Sequence, residues 1–261
     1  MFPVVLVHLG LAASLAGGLT LAWSAWSAGL HGLTVGALLV GAGALTTLAG
    51  LRWPASTSRV TSRHTHLDAF VPEWQFAEAH AIVTRATARS AYDAVKAVTA
   101  REVAFFRTLT WIRRAGRPGE ESILNPPADE PLLDVATRTS FITRADEPYK
   151  EALVGIPVVC PPGWRPAGRL TPEAFGDLRQ PGFALAAMNF RIEEVENGSR
   201  VTTETRIHAT DVAARRHFAL YWRLIYPGSA FIRRMWLRAI KRRAETHLDT
   251  PPRDGAGSRM A

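Results

Sequence analysis

Four carboxylate pairs are the first residues in this chain of 261 that could do chemistry: Glu120-Glu121, Asp129-Glu130, Asp146-Glu147 and Glu193-Glu194. Paired carboxylates serve as general acid and base when their surroundings push the two pKa values apart. All four pairs sit in turn-like stretches or at the end of a strand pattern, where solvated surface charge is the simpler reading. His64-x-His66 offers two imidazoles, but no third ligand is placed beside them, so no metal site is expected. Cys160 is the single cysteine and precedes Pro161-Pro162-Gly163. It cannot close an intramolecular disulfide, and no histidine is placed to activate it as a nucleophile. The chain has no Gly-rich phosphate loop, no HExxH and no G-x-S-x-G. No cofactor is therefore expected, and no catalytic residue can be named.

The elements that would carry a site lie mainly in the stretch Phe183–Glu245. Asn197-Gly198 reads as a two-residue hairpin turn, because both residues tolerate positive φ. That turn would pair Met188 with Ile207, Phe190 with Thr205 and Ile192 with Thr203 on one face. The other face would pair Asn189 with Arg206, Arg191 with Glu204, and Glu193 with Thr202. The first face suits a core and the second suits water. Arg191 and Glu204 would then be an exposed cross-strand pair worth at most about 1 kcal/mol. If that face lined a pocket instead, the pair would anchor a ligand head group; the apolar row opposite favours the surface reading.

A long helix follows, with Thr210 or Asp211 as its N-cap. Phe218, Tyr221, Trp222 and Ile225 recur at helical spacing, as do Phe231, Ile232, Met235, Trp236 and Ile240. Pro227-Gly228 is expected to kink or split the helix. Arg233, Arg234, Arg238, Lys241, Arg242 and Arg243 fall on its other faces. The simplest packing lays the apolar side across the apolar face of the sheet. Upstream, a strand is expected over Trp74–Val83, a helix capped by Ser90, and a second over about Ala100–Arg114. A Pro/Gly/acidic loop spans Arg117–Pro131, then a helical turn at Leu132–Arg138. Strands are expected at Ser140–Arg144 and Glu151–Val159, with a weaker one near Arg169-Leu170.

The run AMNFRIEEVENGSRVTTETRIHATD with the long helix behind it resembles the end of a START-like domain. This is the SRPBCC or helix-grip superfamily, which includes Bet v 1 and the polyketide cyclase/dehydrase-type proteins. The resemblance covers roughly residues 70–245 and lies in element order and hydrophobic pattern. It implies an α+β fold in which a curved antiparallel sheet wraps a long C-terminal helix. It also implies a cavity between them for a hydrophobic small molecule or lipid. By that resemblance the cavity would be lined by Met188, Phe190, Ile192 and Ile207 from the hairpin. Phe218, Tyr221, Trp222 and Ile225 would line it from the helix, with Phe106 and Trp111 from the front helices. Two alternatives stay open. Some relatives are cyclases or dehydratases, although none of their catalytic residues matches a position here. The same apolar residues would equally fill a core in a structural or partner-binding domain.

The charge is unevenly spread. The formal net charge is +8, yet no Lys, Arg, Asp or Glu occurs before Arg52. That uncharged leader is too long for one crossing of a ~30 Å hydrocarbon core at ~1.5 Å per residue, and fits two. Spans are expected at about Pro3–Trp23 and Leu33–Leu51, with Trp23, Trp26 and Trp53 at the interfaces. Ala13-x-x-x-Gly17 and Ala37-x-x-x-Gly41 would provide small faces for close approach. A cleaved signal peptide is disfavoured by length and by the missing basic segment. Arg52, Arg59 and Arg63 place the remainder in the cytoplasm by the positive-inside rule, making a multi-pass cell-membrane protein. The domain reading is therefore a transmembrane hairpin over 1–52, a linker over 53–68, a START-like domain over 69–247 and a disordered tail over 248–261. The basic C-terminal helix suits either an anionic leaflet or simple solvation. No nucleic-acid partner is expected, since no recognised binding motif is present.

Overall fold

The computed structural model describes residues 2–27, 30–166 and 168–246. The expected tail over 248–261 lies outside the described residues. Two long helices come first, α1 (Phe2–Ser27) and α2 (Leu30–Arg52). Both are long and apolar enough to cross a membrane, and only 22% and 11% of their most apolar windows are buried. A helix from the core of a globule would be mostly buried, so these two present their apolar sides outward. His8, inside α1, has its Nδ1 2.9 Å from the Val4 carbonyl oxygen.

The two helices meet along small residues seven apart: Gly10, Gly17 and Ser24 on α1, against Gly36, Gly43 and Gly50 on α2. A Cβ on Gly43 would lie 2.6 Å from the Gly10 carbonyl oxygen, whereas one on Gly41 would meet nothing within 4 Å. The contact therefore runs through Gly43, and the expected Ala37/Gly41 face is exposed. Backbone contact of this kind has no side chain that can yield. Gly43→Val is expected to destabilise the hairpin by about 1–3 kcal/mol, the usual range for overpacking. Gly41→Val should leave it unchanged. Thermal unfolding of the two full-length variants in the same detergent checks this; equal midpoints would reject the seam.

The rest is α+β. After β1 (Ser58–Arg59), α3 (His66–Phe70) and β2 (Glu73–Trp74) come β3 (Phe76–Thr84), α4 (Ala88–Ala97), α5 (Phe106–Arg113) and α6 (Leu132–Thr139). Then follow β4 (Ile142–Glu147), β5 (Glu151–Val159), α7 (Pro172–Gly176), β6 (Ala184–Val195), β7 (Gly198–Ala209) and α8 (Val212–Thr246). Five strands form one antiparallel sheet in the order β3-β7-β6-β5-β4. Asp211 caps α8, accepting from Ala214 N at 2.7 Å.

Thr87, accepting from Ser90 N, caps α4 in place of Ser90. Three further expectations, on the hairpin, α8 and the stretch before α7, also change. The hairpin turn is Glu196-Asn197, so Met188 faces Thr205, Phe190 faces Thr203 and Ile192 faces Val201. The pairing slides by an even number of residues, so each side chain keeps its face. Asn197 supplies the left-handed φ of 63°. Gly198 stands in the strand because β3 ends against it: a Cβ there would sit 2.9 Å from Arg85 Cα and closer still to the Thr84 carbonyl oxygen. Second, α8 runs unbroken through Pro227 for 35 residues. Buried residues on both sides of the proline, Trp222 and Arg223 before it and Ala230 and Met235 after it, hold the two halves in one helix. Third, no strand forms at Arg169-Leu170; α7 follows instead, capped by Thr171.

Residues 58–68, expected as linker, fold onto the outer face of the sheet. Thr65 and Asp68 form a capping box that starts α3. Glu151 accepts from His66 N at 2.8 Å and from Asn189 Nδ2 at 2.6 Å. Arg206 meets Asp68 at 2.8 Å and Glu204 at 2.6 Å, with its guanidinium 4.1 Å from the Trp74 ring centre. The face expected to be wet is thus a buried polar layer around Asn189 and Arg206, while Arg191, Glu193 and Glu204 stay partly exposed. Arg191 bonds Glu193 at 2.6 Å, so the Arg191–Glu204 pair does not form.

Both helices of the hairpin pack against α8. Arg223, buried in the middle of α8, donates to the carbonyl oxygens of Leu51 and Trp53, beside the last turn of α2. Phe2 stacks edge-on against Trp53 at 5.0 Å, bringing the start of α1 to the same place.

Candidate functional site

The inner face of β6 tapers. From its far end the side chains read Ile192, Phe190, Met188, Ala186 and Ala184. Where they are large, α8 packs down tightly: Phe190 lies 5.2 Å from the Trp236 ring, in one core with Ile192, Met235 and Ile240. Where they shrink to alanine, the helix and sheet no longer fill the space between them. A cleft of about 230 Å³ opens there.

Its floor is Ile156, Ala186, Met188 and Ile207, and its roof is Phe218, Tyr221, Trp222 and Ile225 on α8. Phe106 of α5 and Phe141 close one side, with Ile123 and Leu124 from the long loop. That loop is pinned by Arg138, which pairs with Glu121 and with Glu130 (2.6 Å), and by Arg101 with Asp129 at 2.7 Å. Each of the four carboxylate pairs has a member in an ion pair, Asp146 with Lys96 at 2.9 Å and Glu193 with Arg191 at 2.6 Å among them. Burial raises the Cys160 thiol pKa, which disfavours a reactive thiolate there.

Polar groups also reach the cleft. Glu78, buried in β3, contacts His80 Nε2 at 2.8 Å and accepts from Ser229 Oγ at 2.9 Å. Arg113 donates through Nε to the Tyr221 hydroxyl at 2.8 Å, with its guanidinium 5.5 Å from that ring centre. Arg233 contacts the Met188 sulfur and lies 5.7 Å from the Trp236 ring centre. Burial pushes the Arg233 pKa down to about 10, and Arg113 adds to this while Glu78 opposes it; the guanidinium stays charged at neutral pH. Burial and the Glu78 charge both raise the Tyr226 phenol.

Of the ten residues singled out from the sequence, seven surround this cleft: Phe106, Met188, Ile207, Phe218, Tyr221, Trp222 and Ile225. Phe190 and Ile192 do not reach the cleft; they lie in the core that Phe106 and Met188 also enter, at the end of β6 where large side chains leave no gap. Trp111 is more than half exposed on the far side of α5. Glu78, Arg113, Ser229 and Arg233 were not singled out. Glu78 alternates with Phe76 and His80 on the face of β3 that meets α8. Arg233 follows Phe218, Trp222, Ile225 and Ser229 at helical spacing, so its place on the apolar stripe was readable. Comparison with protein-family models, curated proteins and solved structures finds no match to this chain.

Proposed function

We propose that this is a membrane-anchored START-like domain of helix-grip architecture, whose cleft binds a hydrophobic small molecule or lipid. The carrying observation is the position of the cleft. Trp222 roofs it, and the next residue, Arg223, grips the end of the α1–α2 hairpin. With that hairpin in a bilayer, a ligand passes between lipid and cleft over a short path. Leu220 and Leu224, which flank Arg223 in α8, are exposed, as are Trp111 and Ile112 on α5. Arg52, Arg59 and Arg63 orient the domain to the cytoplasm.

The basic residues late in α8 contribute less to membrane docking in this arrangement. Lys241 donates to the Val83 carbonyl oxygen, Arg242 to that of Glu102, and Arg243 to the Glu102 carboxylate at 2.9 Å. The cleft is smaller than the roughly 300–1,000 Å³ of pockets that engulf a ligand. A single chain or small ring system enters, and the remainder of the molecule stays outside. The buried Glu78, with His80 and Ser229, supports a second reading in which a proton is moved on the bound molecule, as in a cyclase or dehydratase.

Native mass spectrometry of the full chain released from detergent micelles tests the binding reading. A bound small molecule in about one-to-one ratio is expected, and Val158→Trp, at the exposed rim of the cleft, should remove it. A bare protein, or a bound mass indifferent to Val158→Trp, would favour a purely structural domain.

A further inference from the structure

We infer that Arg113 and Arg233 form a head-group subsite, so that the cleft selects an anionic amphiphile over a neutral one. This rests on the binding reading above and adds the charge of the ligand. A guanidinium drawn partly out of water, as the half-buried Arg233 is, gains from a counter-charge or a set of acceptors. Arg233 has neither: no carboxylate lies within 4.0 Å of it or of Arg113 among the described residues. Its contacts are a thioether sulfur and the face of Trp236. Glu78 is the nearest source of negative charge, but its two oxygens are engaged by His80 and Ser229.

Arg113 stands on the neighbouring helix with its fork turned onto the Tyr221 hydroxyl, a neutral acceptor. The two arginines line the same cleft, so their like charges repel. Two like charges on one mostly apolar cleft, whose lining carboxylate Glu78 is engaged by His80 and Ser229 and pairs with neither arginine, match an anion that arrives with the ligand. A guanidinium pair binds carboxylate or phosphate through charge-assisted, often bidentate hydrogen bonds. The apolar floor of Ala186, Met188 and Ile207 would take the chain behind it. The ligand class is therefore a fatty carboxylate or a lipid phosphate, and the two are separable by probe.

The test uses the full chain in an uncharged detergent, titrated with octanoate, octyl phosphate and octanol while Trp fluorescence is followed. At least one anion is expected to bind about tenfold or more tighter than octanol, in keeping with charged over neutral hydrogen bonds. Arg233→Met should erase that preference and leave octanol unchanged; Arg113→Gln, at the exposed rim, should reduce it. Preference for octanoate points to free fatty acid, and preference for octyl phosphate to a phospholipid. Equal binding of all three probes, or equal loss of all three in Arg233→Met and none in Arg113→Gln, overturns the subsite and spares the cleft. Binding of none of them removes the cleft reading itself, and this inference with it.

Discussion

Replacing Arg206 with Met is expected to cost about 3–5 kcal/mol of unfolding free energy, the range for breaking a buried ion pair from one side. Arg206 is 7% exposed. Among the described residues it is the only cation within ion-pair distance of Asp68, at 2.8 Å, and it also holds Glu204 at 2.6 Å, the Val71 carbonyl at 3.3 Å and the Trp74 face. Methionine fills much of the volume but leaves the buried Asp68 carboxylate without its counter-charge. Glu204→Ala should cost only about 1 kcal/mol, because Arg206 keeps Asp68 and Glu204 is partly exposed. The Asp68 pKa gives an independent readout. Burial pushes it up, but hydrogen bonds from His64, Thr65 and Arg206 and the Arg206 charge outweigh that and hold it below its ordinary 3.8. A depressed carboxylate stabilises above the unfolded-state pKa and stops doing so as pH falls through the folded value. The wild type should therefore lose stability on acidification below about pH 4, and Arg206→Met should lose less over that interval. Denaturant unfolding of both full-length proteins between neutral and acid pH reads both effects. An Arg206→Met protein within 1 kcal/mol of wild type would mean that residues 58–74 do not seal the outer face.

That outer layer is also where sequence reading fell short. The inner face was legible because its alternation of large apolar residues survives an even slide of the hairpin: Met188, Phe190 and Ile192 keep their side whichever residue closes the turn. The slide itself was not legible. Gly198 looked like a turn residue, yet its glycine is required by the approach of Thr84 and Arg85 from β3, which is 114 residues distant for Thr84 (198 − 84). The covering of Arg206 was hidden because residues 58–68 are polar and short of hydrophobic periodicity; their one local signal is the Thr65-x-x-Asp68 capping box. Pro227 was over-read. Its missing N–H costs one helical hydrogen bond, and packing on either side outweighs that loss. In the cleft, the apolar residues followed from helical spacing, whereas Arg233 was assigned to an outer face by its charge. Helical position, not residue type, decides where it lies.

Phe190→Ala is expected to lower stability by about 3–5 kcal/mol, the usual cost of deleting a buried aromatic ring. Phe190 is 1% exposed and rests on Trp236 at the wide end of the taper. Neighbouring Ile192, Met235 and Ile240 are fixed in the same core, so the surroundings can relax only in part. Tyr221→Ala, on the cleft rim at a residue 40% exposed, should cost less, about 1 kcal/mol, because its contacts with Phe218 and Arg113 are made at the surface. On the proposed binding function its effect falls on the ligand, because Arg113 loses its hydroxyl partner and the roof loses a ring. Unfolding measured with and without saturating octanoate separates the two roles, because a ligand that binds only the folded state adds stability by mass action. Phe190→Ala should lower the baseline and retain the ligand increment, whereas Tyr221→Ala should do the reverse. If Phe190→Ala proved as mild as Tyr221→Ala, the wide end of the sheet would be loosely filled too. The cleft would then continue beneath Trp236, and a longer chain than octanoate would bind more tightly.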